Sequence, residues 1–190
     1  MKNLVIILLL FSAVSCDIFE TRDAEPPDGP RSNYQSAISP EILIQNLINS
    51  FADKDVVNYQ NTFVTDLSNR VFSFVPSSTA LSRFQNLWQT WNIDDEVQYF
   101  NNMKTSVPDE LPISLSLSIS PESFSIFGDS LKYNSEYFIS VPQRNSEALI
   151  FQGNLEFSMI NVSTVWQVNF WKDNAVEDNP SWSDLKGSAY

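Results

Sequence analysis

ALIFQGNLEFSMINVSTVWQVNFWK, residues 148–172, alternates apolar and polar side chains over two long arms. This period of two is typical of a half-buried antiparallel strand, in which successive side chains point to opposite faces. The arms predict a long hairpin with its turn at Met159 to Ser163, and the rest of the fold is expected to form around it. The residues predicted to face the core are Leu149, Phe151, Gly153, Leu155, Phe157 and Met159 in the first arm and Trp166, Val168 and Phe170 in the second.

The composition predicts one well-packed domain and excludes several classes of function. The chain has 190 residues, of which 43% are hydrophobic and 13% aromatic, so it can bury a sizeable core. A net charge of −12 argues against a basic surface, and no nucleic-acid partner is expected. The absence of histidine removes the usual general base and the commonest transition-metal ligand. With no phosphate loop or zinc motif either, we expect no metal and no cofactor.

The first residues have the features of an export signal. A positive charge at Lys2 precedes an unbroken apolar run and a small-residue region, which predicts a signal peptide over residues 1–15. Ala13-Val14-Ser15-Cys16 resembles the lipobox of bacterial lipoproteins, although Ala13 stands where Leu, Val or Ile is more usual. The resemblance implies that Cys16 is lipidated, with palmitate among its acyl chains. The alternative is an ordinary secretory signal followed by an unmodified cysteine.

Residues 16–39 are predicted to form a flexible acidic tether after the lipidated cysteine. Its centre, Glu25-Pro26-Pro27-Asp28-Gly29-Pro30, is rich in residues that break regular structure. The protein is therefore expected in the bacterial cell envelope, on the exported side of a membrane, and the choice between inner and outer membrane stays open.

The next part of the chain predicts helices. Ser39-Pro40-Glu41 is a typical helix start, with a capping hydroxyl, a proline at the first helical position and an acid in the first turn. The apolar residues then recur at helical spacing as far as Met103. These stripes are Ile44, Leu47, Ile48 and Phe51 in a first helix, Val56, Tyr59 and Phe63 in a second, Leu81, Phe84, Trp88 and Trp91 in a third, and Ile93, Val97 and Phe100 beyond a break.

Most of the remaining chain predicts strands. Besides a short early strand at Val71 to Val75, residues 113–119 alternate between prolines as an edge or first strand would, and residues 133–141 form a further arm. An acidic loop, Asp173 to Asp178, and a short turn, Trp182 to Lys186, follow the hairpin. The order predicts a cone-shaped α+β fold, with N-terminal helices packed in a curved, mainly antiparallel sheet of about five strands.

This order of elements over residues 40–190 resembles the nuclear transport factor 2-like domain, also called cystatin-like or ketosteroid-isomerase-like. Trp91, Glu96 and the final Trp182-Ser183-Asp184-Leu185-Lys186 are similar to bacterial lipoproteins of that superfamily. The resemblance implies a fold more than a function, because the superfamily hosts isomerases, dehydratases, hydrolases and non-enzymatic binding domains.

Glu96 is the main candidate for a functional acid. Its spacing from Ile93 and Phe100 places the carboxylate on an inward stripe. It is expected to act as a general acid or base, or to pair with Arg83 or Arg70 at the cone mouth. Weaker catalytic candidates are Asp66 and Tyr59, and a pocket between the third helix and the sheet is predicted to be lined by Trp88, Trp91, Glu96 and Tyr99.

These observations favour a lipid-anchored envelope protein that binds an apolar small molecule or another envelope protein without catalysis. One alternative is a small lyase, isomerase or hydrolase that uses Glu96 or Asp66 inside the cone. Another is a structural homodimer that buries its open sheet face and holds no ligand. Asp173, Glu177 and Asp178 lack the spacing of a calcium loop, so they are predicted to be solvated.

Overall fold

The computed structural model describes residues 33–65, 70–127 and 130–190. This part of the chain is an α+β fold, as the sequence predicts. It contains five α-helices and a curved sheet of six strands, against the five or so expected. The helices are α1 Pro40–Asp53, α2 Val56–Asn61, α3 Ser78–Arg83, α4 Ile93–Ser106 and α5 Trp182–Ala189. The strands are β1 Ser73–Val75, β2 Ser114–Leu117, β3 Phe124–Phe127, β4 Ser130–Val141, β5 Leu149–Val162 and β6 Val165–Ala175.

The sheet has the strand order β1-β6-β5-β4-β2, and β3 also pairs with β4. Strand β1 runs parallel to β6, whereas the other pairings are antiparallel. Strands β2 and β3 pair with opposite ends of β4, so six strands occupy five positions across the sheet. The expected edge strand is confirmed as β2, while β3 has no counterpart in the prediction.

The central hairpin is confirmed, but its turn lies further along than predicted. Strand β5 continues to Val162, which pairs with Val165, so the loop contains only Ser163 and Thr164. Both residues have positive φ angles, 50° and 78°, as a tight primed turn requires. The side-chain oxygen of Asn161 accepts a hydrogen bond from the Thr164 backbone N–H at 3.1 Å and so supports the turn.

A β-bulge reverses the faces of the second arm. Ser158 pairs with Phe170 and Met159 pairs with Val168, which leaves Asn169 as the extra residue. Because one extra residue inverts the alternation, Trp171 instead of Phe170 points into the core beyond the bulge. The prediction for Phe170 is therefore wrong.

The first arm agrees better with its prediction. Phe151, Leu155, Phe157 and Met159 are buried, as expected. Leu149 is 50% exposed because it lies at the outer end of the strand, so its predicted burial is wrong.

Helix α1 begins as the sequence predicts. The Ser39 hydroxyl oxygen accepts a hydrogen bond from the Ile42 backbone N–H at 3.4 Å, and Pro40 is the first helical residue. The residues just before it, which the sequence assigns to the tether, are held by the fold. Ala37 is buried and its carbonyl accepts the Trp166 backbone N–H at 2.8 Å.

The predicted third helix is interrupted. Helix α3 ends at Arg83, a 3₁₀ turn follows at Trp88–Thr90, and α4 begins at Ile93 after a capping box formed by Asn92 and Asp95. Leu81 is 49% exposed, so the predicted stripe shared with Trp88 and Trp91 is wrong. The two tryptophans are nevertheless buried, and both rings pack against Phe74.

The C-terminal segment is a helix where the sequence predicts only a turn. Ser181 and Asp184 form a capping box at its start. Its first five residues, from Trp182 to Lys186, are all buried. Five consecutive helical residues cover every side of a helix, so the start of α5 is surrounded by protein. No helix in the described ranges is long and apolar enough to cross a bilayer.

Candidate functional site

Glu96 lies at the centre of the cone interior and its side chain is completely buried. One carboxylate oxygen, Oε1, accepts a hydrogen bond from the Tyr59 hydroxyl at 2.5 Å. The other, Oε2, accepts from the Trp91 indole N–H at 2.7 Å and from the Lys186 ammonium at 2.7 Å. Both oxygens are therefore engaged by donors of the chain itself.

The inward direction of Glu96 follows from the start of α4. Capping by Asn92 fixes the first turn, and Ile93 and Phe100 on the same helix face are also buried. The expected partner was wrong. Arg83 binds Asp184 instead, with 2.8 Å between Nη1 and Oδ1, and Arg70 is exposed.

Lys186, the partner of Glu96, was not predicted. The two residues are 90 positions apart in the sequence, so no local pattern joins them. A signal was nevertheless present, because Lys186 follows Trp182 and Leu185 at helical spacing, and all three are buried. A lysine on an apolar stripe points to a buried ion pair once the segment is recognised as a helix.

Aromatic rings cover the sides of the Lys186 ammonium that do not face Glu96. Its nitrogen lies 3.4 Å from the ring centroid of Trp171 and 3.6 Å from that of Phe74. The rings of Trp91 and Tyr99 are further away, at 5.5 and 5.7 Å. Burial lowers the pKa of Lys186 to about 8, although the charge of Glu96 works in the opposite direction. Cation–π attraction and the ion pair together stabilise the charged form.

The two tyrosines beside Glu96 serve as hydrogen-bonding and packing groups. Burial, and then the charge of Glu96, raise the pKa of Tyr59 and of Tyr99 well above their usual range. The Tyr59 ring stacks on Phe100 with 4.0 Å between centroids. The Tyr99 hydroxyl accepts a hydrogen bond from the Trp182 indole N–H at 2.8 Å. Both tyrosines are therefore held as neutral phenols.

A second buried acid, Asp173, fixes the start of α5. It accepts hydrogen bonds from the Tyr137 hydroxyl at 2.7 Å and from the Ser183 backbone N–H and hydroxyl at 2.8 and 2.5 Å. The prediction of a solvated Asp173 is wrong, because the bulge places it on the inner face of β6. Glu177 and Asp178 are exposed, as expected.

Gly153 allows this arrangement. A methyl group there would lie 2.5 Å from the Tyr137 hydroxyl oxygen and 2.6 Å from the Asn174 carbonyl oxygen. Tyr137 can therefore cross β5 to reach Asp173 only because position 153 has no side chain. Its hydroxyl oxygen also accepts the Trp182 backbone N–H at 2.7 Å.

The predicted pocket residues are close together, but they lie in packed core. Trp88 and Trp91 have ring centroids 5.1 Å apart, and both are buried, as are Glu96 and Tyr99. Asp66 and Cys16 lie outside the described residues. Two surface depressions, of about 370 and 490 Å³, involve none of the predicted pocket residues. The first is lined by Ser116, Glu136, Tyr137, Phe138, Gln152, Gly153 and Val176, and the second by Arg83, Phe84, Gln85, Asn86, Leu87, Gly187 and Tyr190.

A metal site has no support in the described ranges. The Asp and Glu side chains there form no group of three or more that could hold a metal ion. Asp173 has its oxygens engaged by Tyr137 and Ser183, and Glu96 pairs with Lys186.

Solved structures share this architecture at low sequence identity. A nuclear transport factor 2-like family protein from Streptomyces avermitilis, provisionally assigned as a dehydratase, has a TM-score of 0.53 at 10% identity, covering 72% of this chain and 92% of that chain. A provisionally assigned aromatic ring hydroxylase from Novosphingobium aromaticivorans has a TM-score of 0.52 at 14% identity, covering 80% and 99%. A nuclear transport factor 2-like superfamily protein from Salmonella enterica has a TM-score of 0.52 at 11% identity, covering 73% and 87%.

No protein-family model matches the chain, and no curated protein is similar to it in sequence. The domain thus has the nuclear transport factor 2-like fold, as its resemblance implies. At such low identity the likeness extends to the fold alone, because one fold supports many activities.

Proposed function

We propose that this protein is a lipid-anchored protein of the bacterial cell envelope whose folded domain binds a partner without catalysis. The observation that carries this proposal is the burial of Glu96, the one inward acid that the sequence offers as a catalytic group, together with its ion pair to Lys186. Its side chain is buried, and three donors of the chain occupy its two oxygens.

A general base must come within hydrogen-bond reach of the proton that it removes, and the side chain of Glu96 is completely buried. The carboxylate of Glu96 instead neutralises Lys186 at 2.7 Å. Tyr59, the other candidate in the interior, donates a hydrogen bond to the same carboxylate. These contacts favour a structural role for the cluster over the catalytic alternative.

The outer face of the sheet is the better binding surface. The depression of about 370 Å³ lies there, and its volume suits a small molecule or a side chain of a partner protein. Phe138 on its wall is 42% exposed, and Ile150 nearby on the neighbouring strand is 39% exposed. An exposed aromatic residue beside polar serine, glutamine and glutamate side chains is typical of a recognition surface.

The envelope location rests on the signal segment and on Cys16. An anchor at this position would place the domain near a membrane surface, where its partner is expected to be an apolar small molecule or another envelope protein. A second copy of the chain on the same sheet face is the competing occupant.

Native mass spectrometry of the protein extracted gently from its own membranes tests this proposal. We expect a retained small molecule or protein that is lost in Phe138→Glu and kept in the double variant Glu96→Gln/Lys186→Met. Loss in the interior variant with retention in Phe138→Glu would overturn the proposal and favour a site inside the cone. A complex made only of two identical chains would support the homodimer instead.

A further inference from the structure

The surroundings of the Lys186 ammonium have the composition of a binding site for organic cations. A carboxylate oxygen of Glu96 lies 2.7 Å from the nitrogen, and two aromatic rings contact it from other sides. Those rings, Phe74 and Trp171, are nearly perpendicular, with an interplanar angle of 81° and centroids 5.3 Å apart. The ammonium therefore occupies the corner between two π faces and an anion.

Every wall of this cage comes from outside the helix that supplies the cation. Phe74 is on β1, Trp171 is on β6, and Glu96 is on α4. Trp91 donates its indole N–H to the same carboxylate and so orients it. Only Lys186 belongs to α5, and it enters the cone interior at the end of five buried residues.

We propose that the interior of the cone is a binding site for a primary alkylammonium group and that Lys186 is its ligand within the same chain. The aromatic rings and the carboxylate are the groups that recognise ammonium ligands in proteins generally. In this account α5 closes the cone as a tethered ligand. The inference depends on the closed interior described above and is independent of the envelope anchor and of the outer sheet face.

The competing account is an ordinary buried ion pair that happens to lie among aromatic residues. The two accounts differ in what happens when the lysine side chain is removed and a free amine is offered. A cage formed by the rest of the fold would bind the free amine in preference to a neutral molecule of the same size. A chance arrangement would collapse or accept both equally.

The test uses Lys186→Ala in the full chain, with n-propylammonium as the probe, because it replaces the atoms removed beyond Cβ. Urea unfolding is followed at constant ionic strength with increasing propylammonium or with 1-propanol. We expect stabilisation by propylammonium, with an apparent Kd at least about tenfold lower than that of 1-propanol. Equilibrium unfolding also gives the probe access to a site that is closed in the folded state.

Two control variants separate the cage from general salt effects. Lys186→Met fills the space with an apolar chain, and Lys186→Ala/Glu96→Gln removes the anion, so neither should respond to propylammonium more than to 1-propanol. Equal stabilisation of Lys186→Ala by both probes, or the same propylammonium response in all three variants, would overturn the proposal.

If Lys186→Ala does not fold under any condition, a covalent experiment tests the same proposal. Lys186→Cys can be alkylated in denaturant with 2-bromoethylamine, which restores an ammonium at nearly the same reach, or with 2-bromoethanol, which adds a neutral group. Cys16 is exposed to the reagent equally in both arms. The cage is supported if 2-bromoethylamine restores the near-ultraviolet circular dichroism of the native protein and 2-bromoethanol does not. Equal recovery, or none, contradicts it.

Discussion

The Lys186–Glu96 pair has two opposing effects on stability. Removing two charges from water is unfavourable, and their attraction offsets this only where geometry is good and the remaining polar atoms are satisfied. Here Tyr59 and Trp91 complete the hydrogen bonding of Glu96, and the rings of Phe74 and Trp171 cover the ammonium. Removing one member should therefore be far more harmful than removing both.

The first prediction is a double-mutant cycle on this pair. Lys186→Met should lower the free energy of unfolding by about 3–5 kcal/mol, because it leaves a buried carboxylate without its cation. Adding Glu96→Gln to that variant should recover most of the loss, so the two effects are strongly non-additive. Urea unfolding of the four proteins measures the coupling.

The partly exposed pair Lys132–Glu156 provides the matched control for the cycle. Lys132→Met should lower the free energy of unfolding by less than about 1 kcal/mol, because solvent screens that pair. Additive effects at positions 96 and 186 would show that their contact does not form in solution.

The second prediction concerns pH. Burial lowers the pKa of Lys186 to about 8 from an ordinary value of 10.5, so between these pH values the unfolded chain holds a proton that the folded chain has released. The free energy of unfolding should therefore rise with pH in this window, by about 3 kcal/mol at most. Above about pH 10 the buried tyrosines act in the opposite direction, because only the unfolded chain ionises them readily.

Urea unfolding between about pH 7 and 10 checks this prediction, with Glu96→Gln/Lys186→Met as the control. Glu96 and Asp173 are the acids that act on the ammonium, and Tyr59 and Tyr99 lie beside Glu96. The wild-type protein should gain stability relative to the control as the pH rises through 8. A constant or falling difference would mean that the pKa of Lys186 is not lowered in the folded protein.

Sequence reasoning found one half of this site. Helical spacing alone predicted that Glu96 faces inward, because Ile93 and Phe100 mark the buried face of α4. The partner depends on how the chain returns to α4 after β6, and that path is a property of the whole fold. The sequence therefore offered Arg83 and Arg70 as partners of Glu96, although Arg83 is engaged by Asp184 in the structure.

Among the elements, the regular ones follow from the sequence and the irregular ones do not. The alternation of β4 and β5 and the cap of α1 were predicted because local patterns determine them. The bulge at Asn169 changes the inward residue of β6 without any glycine or proline to signal it. The break after α3 was missed because the spacing of Trp88 and Trp91 continues a helical period across a 3₁₀ turn.

The third prediction tests how the elements fit around Tyr137. Gly153→Ala should lower the free energy of unfolding by about 1–3 kcal/mol, because the added methyl group overlaps a fixed hydroxyl and a backbone carbonyl. Asn154→Ala, one residue away on the exposed face, should change it by less than about 0.5 kcal/mol. Chemical unfolding measures the free energy of unfolding of both variants and of the wild-type protein. Equal effects would mean that Tyr137 does not cross β5.

On the scale of the whole molecule, the expected cone is present, but its interior is filled. Helix α5 places Trp182 against Phe51, Tyr137 and Trp171, with ring centroids 4.5 to 5.4 Å apart. Lys186 completes the filling beside Glu96. The domain therefore has the architecture of its structural neighbours together with an interior that its own C-terminal helix closes.

The fourth prediction is that Cys16 attaches the protein to a membrane. Cys16→Ala should remove the lipid mass and release the protein from washed membranes, because the apolar run of the signal segment is too short to span a bilayer. Membrane fractionation and intact-protein mass spectrometry measure both effects. Retention of Cys16→Ala on salt-washed membranes would contradict the lipoprotein hypothesis.

Amide hydrogen exchange in helix α5 tests the central claim most directly. A helix of only eight residues is marginally stable by itself in water and ordinarily exchanges fast. If α5 closes the cone, the amides of Leu185 and Lys186 should exchange as slowly as those of Leu155 and Phe157 in β5, through global unfolding alone. If Leu185 and Lys186 exchange through a local opening well before β5 does, the interior is open to solvent and the closed-cone account is wrong.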